Sequence, residues 1–192
     1  EDVVAGAVLT AGTAGGNLAR TALLAAGLPD VVSGQTLDRQ CASGLMAIAT
    51  AAKQVIVDGM DVVIGAGQDN ISAVQGPYMK WVGQEIDPNV LARSEHAYMP
   101  MLQTAEIVAR KYKISRDLQD EYSYQSQMRT AAAQEAGRLD AEIVPITATM
   151  AIADKQTGAI SHKEVTLSRD EGNRPDTTLE GLKSLKPVIE GG

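Results

Sequence analysis

Phenylalanine is absent from this 192-residue chain, and aromatic residues make up only 3% of it. Ala, Val, Ile and Leu must therefore fill the core, which favours close-packed helices and parallel strands over an aromatic-rich β-sandwich. There is one cysteine, Cys41, which excludes an internal disulfide framework. The two histidines, His96 and His162, are too few for a Cys/His metal centre, so no metal is expected. No apolar run reaches membrane-spanning length and no signal peptide opens the chain, which sets the expectation of a soluble, cytoplasmic protein. Basic residues are outnumbered, giving a formal net charge of −7. That is the wrong sign for a nucleic-acid or anionic-membrane partner. An anionic ligand would need a local basic pocket.

What is present suits a globular core. Hydrophobic residues make up 44% and charged residues 21%, enough apolar material for one domain or for a core with an excursion. Residues 3–9, "VVAGAVL", read as a short strand followed by a Gly-rich turn. "NLARTALLAAG" reads as a helix, capped by Asn17 and stopped by Gly27. Residues 42–58 read as a second helix stopped by Gly59. Its first half carries no charge on any face, the pattern of a buried helix. "DVVIGAG", 61–67, reads as a continuous apolar strand of the kind buried on both faces. The alternation predicts a layered α/β core over residues 1–70.

The character changes after residue 70, so residues 71–192 read as an excursion from that core. Residues 73–100 mix Gly, Pro, Tyr and charges without a period and read as irregular. Helices are expected over 101–113 and 116–136, the second opened by Ser115 and closed by Gly137. A hairpin is expected over 147–168 with its turn at "DKQTG". Thr177 and Glu180 stand at capping-box spacing for a short final helix, which Pro187 ends.

Cys41 lies in "LDRQCASGL", between a strand end and a helix start. A lone cysteine beside Ala and Gly is commonly a small buried hydrophobe. Here, free N–H groups and the helix dipole would favour a thiolate. Ala42, Ser43 and Gly44 leave room for a substrate, and the same N–H groups could stabilise an oxyanion.

The stretch "RQCASGLMAIATAAKQVIVDGMDVVIGAGQDNIS" resembles the active-site segment of the thiolases, the acetyl-CoA acyltransferases. "NLAR" resembles that family's interface-helix start. "MLQTAEIVARKYKISRDLQDEYSYQSQMRTAAAQEAGRLDAEIVPI" resembles its loop domain, and "DEGNRPDTTLEGLKSLKPV" the segment leading back to the core. The resemblance implies a thiolase-like α/β fold and acyl transfer between CoA thioesters through an acyl-enzyme on Cys41. Arg174 would contact the CoA nucleotide and Met101 would line the pantetheine and acyl end. Coenzyme A would be a substrate, with no resident cofactor, and the protein a homo-oligomer, dimer or tetramer. Gly181 stands where the family often has Ser, and Asp69 where many members have Glu.

The family also draws on a Cys-x-Gly cysteine, a Gly-His-Pro histidine and an Asn-Glu-Ala segment from a second half. None occurs here, so the chain reads as the central part of the N-terminal half, loop domain included, and would not complete condensation alone. His96 and His162 read as surface residues rather than substitutes for the missing histidine. Two alternatives come from other classes: a ketoacyl synthase-like enzyme using carrier-protein substrates, and a non-catalytic CoA-binding or assembly module on the same fold.

Overall fold

The computed structural model describes residues 1–189. Strand β1 (Asp2–Gly6) lies at the centre of a parallel sheet, flanked by β2 (Ser33–Leu37) and β3 (Val63–Gly67). The register pairs Val4 with Gln35 on one side and with Gly65 on the other. Helix α1 (Leu18–Ala25) connects β1 to β2, and helix α2 (Ser43–Ile56) connects β2 to β3. Successive strand residues face opposite sides of a sheet. Val3 and Ala5 accordingly pack with Ala19 and Leu23 of α1, while Val4 packs with Ala47 and Ala51 of α2. The expected α/β layering is present, with one helix on each face.

Local punctuation places several ends where the sequence put them. The Asn17 side chain accepts from the Arg20 N–H at 3.3 Å and caps α1. Gly27 and Gly59 follow α1 and α2 with φ of +76° and +72°, a conformation that favours glycine. β1 ends at Gly6, earlier than residue 9, because the Val8 and Leu9 N–H groups turn to the Asp69 carboxylate, each at 3.0 Å.

Two burial expectations fail. Only Ser43, Ala47 and Ala51 of α2 are buried, while Leu45 is 73% and Ile48 56% exposed. β3 is half-buried at Val63 and exposed beyond it. The cause is the sheet order: β3 is an edge strand that receives α2 on one face, while α1 packs on β1 and β2. The irregular stretch is also corrected. It contains α3 (Ile71–Gln84), with Pro77 inside it, and α4 (Pro88–Arg93), whose Pro88 starts the helix behind an Asp87 cap.

The chain forms two compact units, the first ending at Tyr98 and the second beginning at Met99. In the second unit, α5 spans Met101–Tyr112 and α6 spans Arg116–Glu135, the latter capped by Ser115. β4 (Ile146–Ala153) and β5 (Ile160–Leu167) form the expected antiparallel hairpin. Its turn is set by the Asp154 carboxylate, which accepts from the Gln156 and Thr157 N–H groups at 2.9 and 2.7 Å. The short helix α7 (Leu179–Ser184) is capped by Thr178, not Thr177, whose hydroxyl donates to the Arg174 carbonyl instead. Arg116 bridges Asp120 of α6 and the Leu182 and Leu185 carbonyls, tying α7 to α6. Among the described residues no helix is long and apolar enough to cross a membrane.

A buried carboxylate fastens the start of β1. Asp2 is 6% exposed, and its carboxylate accepts from Gln54 of α2 at 2.6 Å. Burial pushes its pKa up, but hydrogen bonds from Gln54, Ser33, Val3 and Gln35 outweigh that and hold it below the usual carboxylate value. The folded state therefore binds this proton less readily than the unfolded chain. The stabilisation is complete above the unfolded pKa of about 4 and is lost as pH falls through the lower folded value. Urea unfolding of Asp2→Asn should show a flatter loss of stability between neutral pH and about pH 3. Parallel pH profiles for variant and parent would contradict this assignment.

Candidate active site

Between the end of β2 and the start of α2, residues 38–42 make a tight turn at the C-terminal edge of the sheet. Gln40 occupies the left-handed region with φ of +50°, unusual for a residue with a side chain. The Asp38 carboxylate accepts from the Gln40 N–H at 2.7 Å. The Ser43 hydroxyl accepts from the Arg39 N–H at 2.8 Å and donates to the Gln40 carbonyl at 2.6 Å. Cys41 sits inside this clasp and is exposed. The buried-filler reading of this cysteine therefore does not hold.

Glycines bring the turn onto the sheet. A Cβ on Gly6 would lie 2.3 Å from the Ser43 carbonyl carbon and 2.6 Å from the Gly44 nitrogen. A Cβ on Gly67 would lie 3.4 Å from the Gly44 Cα. The start of α2 thus rests on the strand ends with no side chain between them. The expected free N–H groups are partly spent there. Ala42 and Ser43 donate to the Arg39 and Gln40 carbonyls at 3.2 and 3.0 Å.

Arg174 and Met101 belong to the second unit. Arg174 lies on an exposed loop, with its N–H donating to the Gln127 side-chain oxygen of α6 at 2.8 Å. The neighbouring Asn173 side chain donates to the same oxygen and to the Gln127 carbonyl, both at 2.9 Å. Gln127 therefore anchors the loop that carries Arg174. Met101, the first residue of α5, is 78% exposed, so it is free of the core that a helical methionine usually joins. His96 is exposed beside Glu95, and His162 is exposed on β5.

The family model "Thiolase, N-terminal domain" matches residues 1–191. The chain belongs to the thiolase family. The match decides against the ketoacyl synthase alternative. A peroxisomal 3-ketoacyl-CoA thiolase of Yarrowia lipolytica is 41% identical over 98% of this chain and 44% of its own length. A β-ketoadipyl-CoA thiolase of Pseudomonas aeruginosa is 39% identical over 98% and 48%. The crystal structure of the Bacillus anthracis acetyl-CoA acetyltransferase superposes with a TM-score of 0.75 at 35% identity, over 98% of this chain and 47% of that one. The chain thus spans about half the length of the thiolases it matches.

Sequence reasoning singled out Cys41 but treated Ser43 and Gly44 only as small residues, and it missed Gln40, Gly6 and the bonding role of Asp69. A glycine ending an apolar strand was a usable signal for Gly6. The left-handed Gln40 had no signal, since glutamine seldom adopts that conformation.

Proposed function

We propose that the natural protein is a thiolase-type acyltransferase whose covalent nucleophile is Cys41. The Cys41 thiolate attacks the carbonyl carbon of an acyl-CoA thioester, and the CoA thiolate leaves, giving an acyl-enzyme. A second acyl-CoA, deprotonated at its α-carbon, attacks the acyl carbonyl. A carbon–carbon bond forms and the Cys41 thiolate is released. The reverse direction is thiolysis of a 3-ketoacyl-CoA. The observation that carries this reading is the exposed Cys41 on its strained turn, at the sheet's C-terminal edge in a thiolase N-terminal domain. Acetoacetyl-CoA formation from acetyl-CoA, and its thiolysis by CoA, test it. Retention of CoA with neither reaction would favour the non-catalytic module.

Coenzyme A enters as substrate, with Arg174 at its nucleotide and Met101 at the pantetheine and acyl end. The exposed guanidinium suits phosphate or adenine. Arg174→Ala should weaken CoA binding by roughly 1–3 kcal/mol. The loss should fall on KM rather than kcat, because the nucleotide is remote from the reacting carbon. An unchanged KM for acetyl-CoA would remove Arg174 from the site.

We also infer a homo-oligomer, dimer or tetramer, from the large apolar side chains exposed on α2 and around β3, including Leu45, Ile48, Val62 and Ile64. A clean monomer by sedimentation at micromolar concentration would count against it. We place the protein in the cytoplasm, where an exposed thiol stays reduced; recovery from an organelle on cell fractionation would contradict this.

A further inference from the structure

We infer that Ser43 is a positioning residue for Cys41, its buried hydroxyl holding Gln40 in the left-handed conformation that presents the thiol. The inference rests on the acyl-transfer reading above and goes beyond it. Ser43 is 3% exposed, although it stands at the first turn of a helix whose next residues, Gly44 and Leu45, are more open. Its hydroxyl faces backwards, out of α2. It takes the Arg39 N–H at 2.8 Å and gives its proton to the Gln40 carbonyl at 2.6 Å. Both peptide groups lie before the cysteine, so one side chain after the cysteine closes a ring around it.

The ring encloses the only non-glycine residue with positive φ between α1 and α5, Gln40 at +50°. A residue held there is strained and persists only where its surroundings enforce it. The Ser43 hydroxyl supplies two of the enforcing bonds; the Asp38 carboxylate adds one at 2.7 Å to the Gln40 N–H, and the Ser43 and Ala42 N–H groups add backbone bonds at 3.0 and 3.2 Å to the Gln40 and Arg39 carbonyls. Ser43 cannot drift, because its own backbone lies against Gly6 of the central strand. The sheet therefore fixes Ser43, the Ser43 hydroxyl fixes the peptide group before Arg39 and the one after Gln40, and Gln40 sets the direction in which the chain enters Cys41. The hydroxyl's one proton is spent on the Gln40 carbonyl and the residue is buried, so its action is through the backbone.

The consequence is specific. Removing the hydroxyl frees Gln40 to relax towards negative φ and turns Cys41 away from its attack geometry. A displacement of about 1 Å at a reacting group can cost roughly a hundredfold in rate. Glycine adopts positive φ without penalty, so Gln40→Gly removes the strain that Ser43 opposes.

The experiment is single-turnover acetylation of Cys41 by acetyl-CoA in the natural polypeptide, followed by mass spectrometry. Parent, Ser43→Ala, Gln40→Gly and the double variant are compared. Ser43→Ala should acetylate about ten- to a hundredfold more slowly, with the final adduct amplitude preserved. Adding Gln40→Gly to Ser43→Ala should regain most of the lost rate, whatever the rate of Gln40→Gly alone. A purely structural role would lower the amplitude through loss of folded protein, and Gln40→Gly would not restore the rate. If Ser43→Ala does not fold, recovery of fold and rate on adding Gln40→Gly supports the inference equally, and no recovery overturns it. A parent-like rate in Ser43→Ala overturns the inference while the acyl-transfer reading stands. A parent that forms no adduct overturns both.

Discussion

Cys41→Ala should reduce acyl transfer by the natural protein by about four orders of magnitude or more, the scale seen when a covalent nucleophile is removed from a catalytic unit. Cys41 is the only thiol in the chain and is exposed on the turn that enters α2. No second thiol of this chain can take over the acyl group. Truncation to Ala removes one sulfur from an exposed position, so stability should change little, and most surface substitutions fall within about 0.5 kcal/mol. The expected signature is lost turnover with an unchanged unfolding transition and retained CoA binding. Substantial turnover in a folded Cys41→Ala protein would remove Cys41 from the chemistry, whatever the family does elsewhere.

Gly6→Ala should be nearly as damaging by a different route. The new methyl would meet the Ser43 carbonyl carbon at 2.3 Å, its oxygen at 2.5 Å and the Gly44 nitrogen at 2.6 Å. All three are backbone atoms, so no side chain can rotate away and either α2 or β1 must shift. β1 is the central strand, paired on both edges, and its Val4 anchors the α2 face of the core. The helix start therefore gives way, and it carries the clasp around Cys41. Overpacking of this kind costs about 1–3 kcal/mol and at times more. Acylation should fall further than stability alone explains, because the displaced atoms include those that hold Gln40. Gly83→Ala is the control, since a Cβ there meets nothing within 4 Å. Equal stability and acylation in Gly6→Ala and Gly83→Ala would show that the contact of α2 with the strand end is dispensable.

The features legible in the sequence are those set by a residue's own backbone preferences. Asn17 and Ser115 announced helix starts, and Gly27, Gly59 and Gly137 announced ends, because capping and positive φ are local matters. The hairpin turn was legible for the same reason, with Asp154 bonding forward to Gln156 and Thr157 and Gly158 at φ +72°. Helix α3 was hidden because Gly76, Pro77 and Gly83 are loop residues by composition, yet all three lie within it. The exposure of β3 and of much of α2 was illegible because an apolar run records that a surface is suited to burial, not how many neighbours cover it. At the site, Cys41 was legible by its motif. The clasp was not, since it depends on a side chain reaching back across the cysteine to two peptide groups. Gly6 matters only because the sheet places it under Ser43, a contact between residues far apart in the chain.

The most direct test of the account is to incubate the natural protein with acetyl-CoA, digest it under conditions that preserve thioesters, and map the modified peptide. The expected product is one acetyl thioester on Cys41, which added CoA removes with re-formation of acetyl-CoA. An acetyl group on any other residue, or an unmodified Cys41 in protein that binds acetyl-CoA, would contradict it.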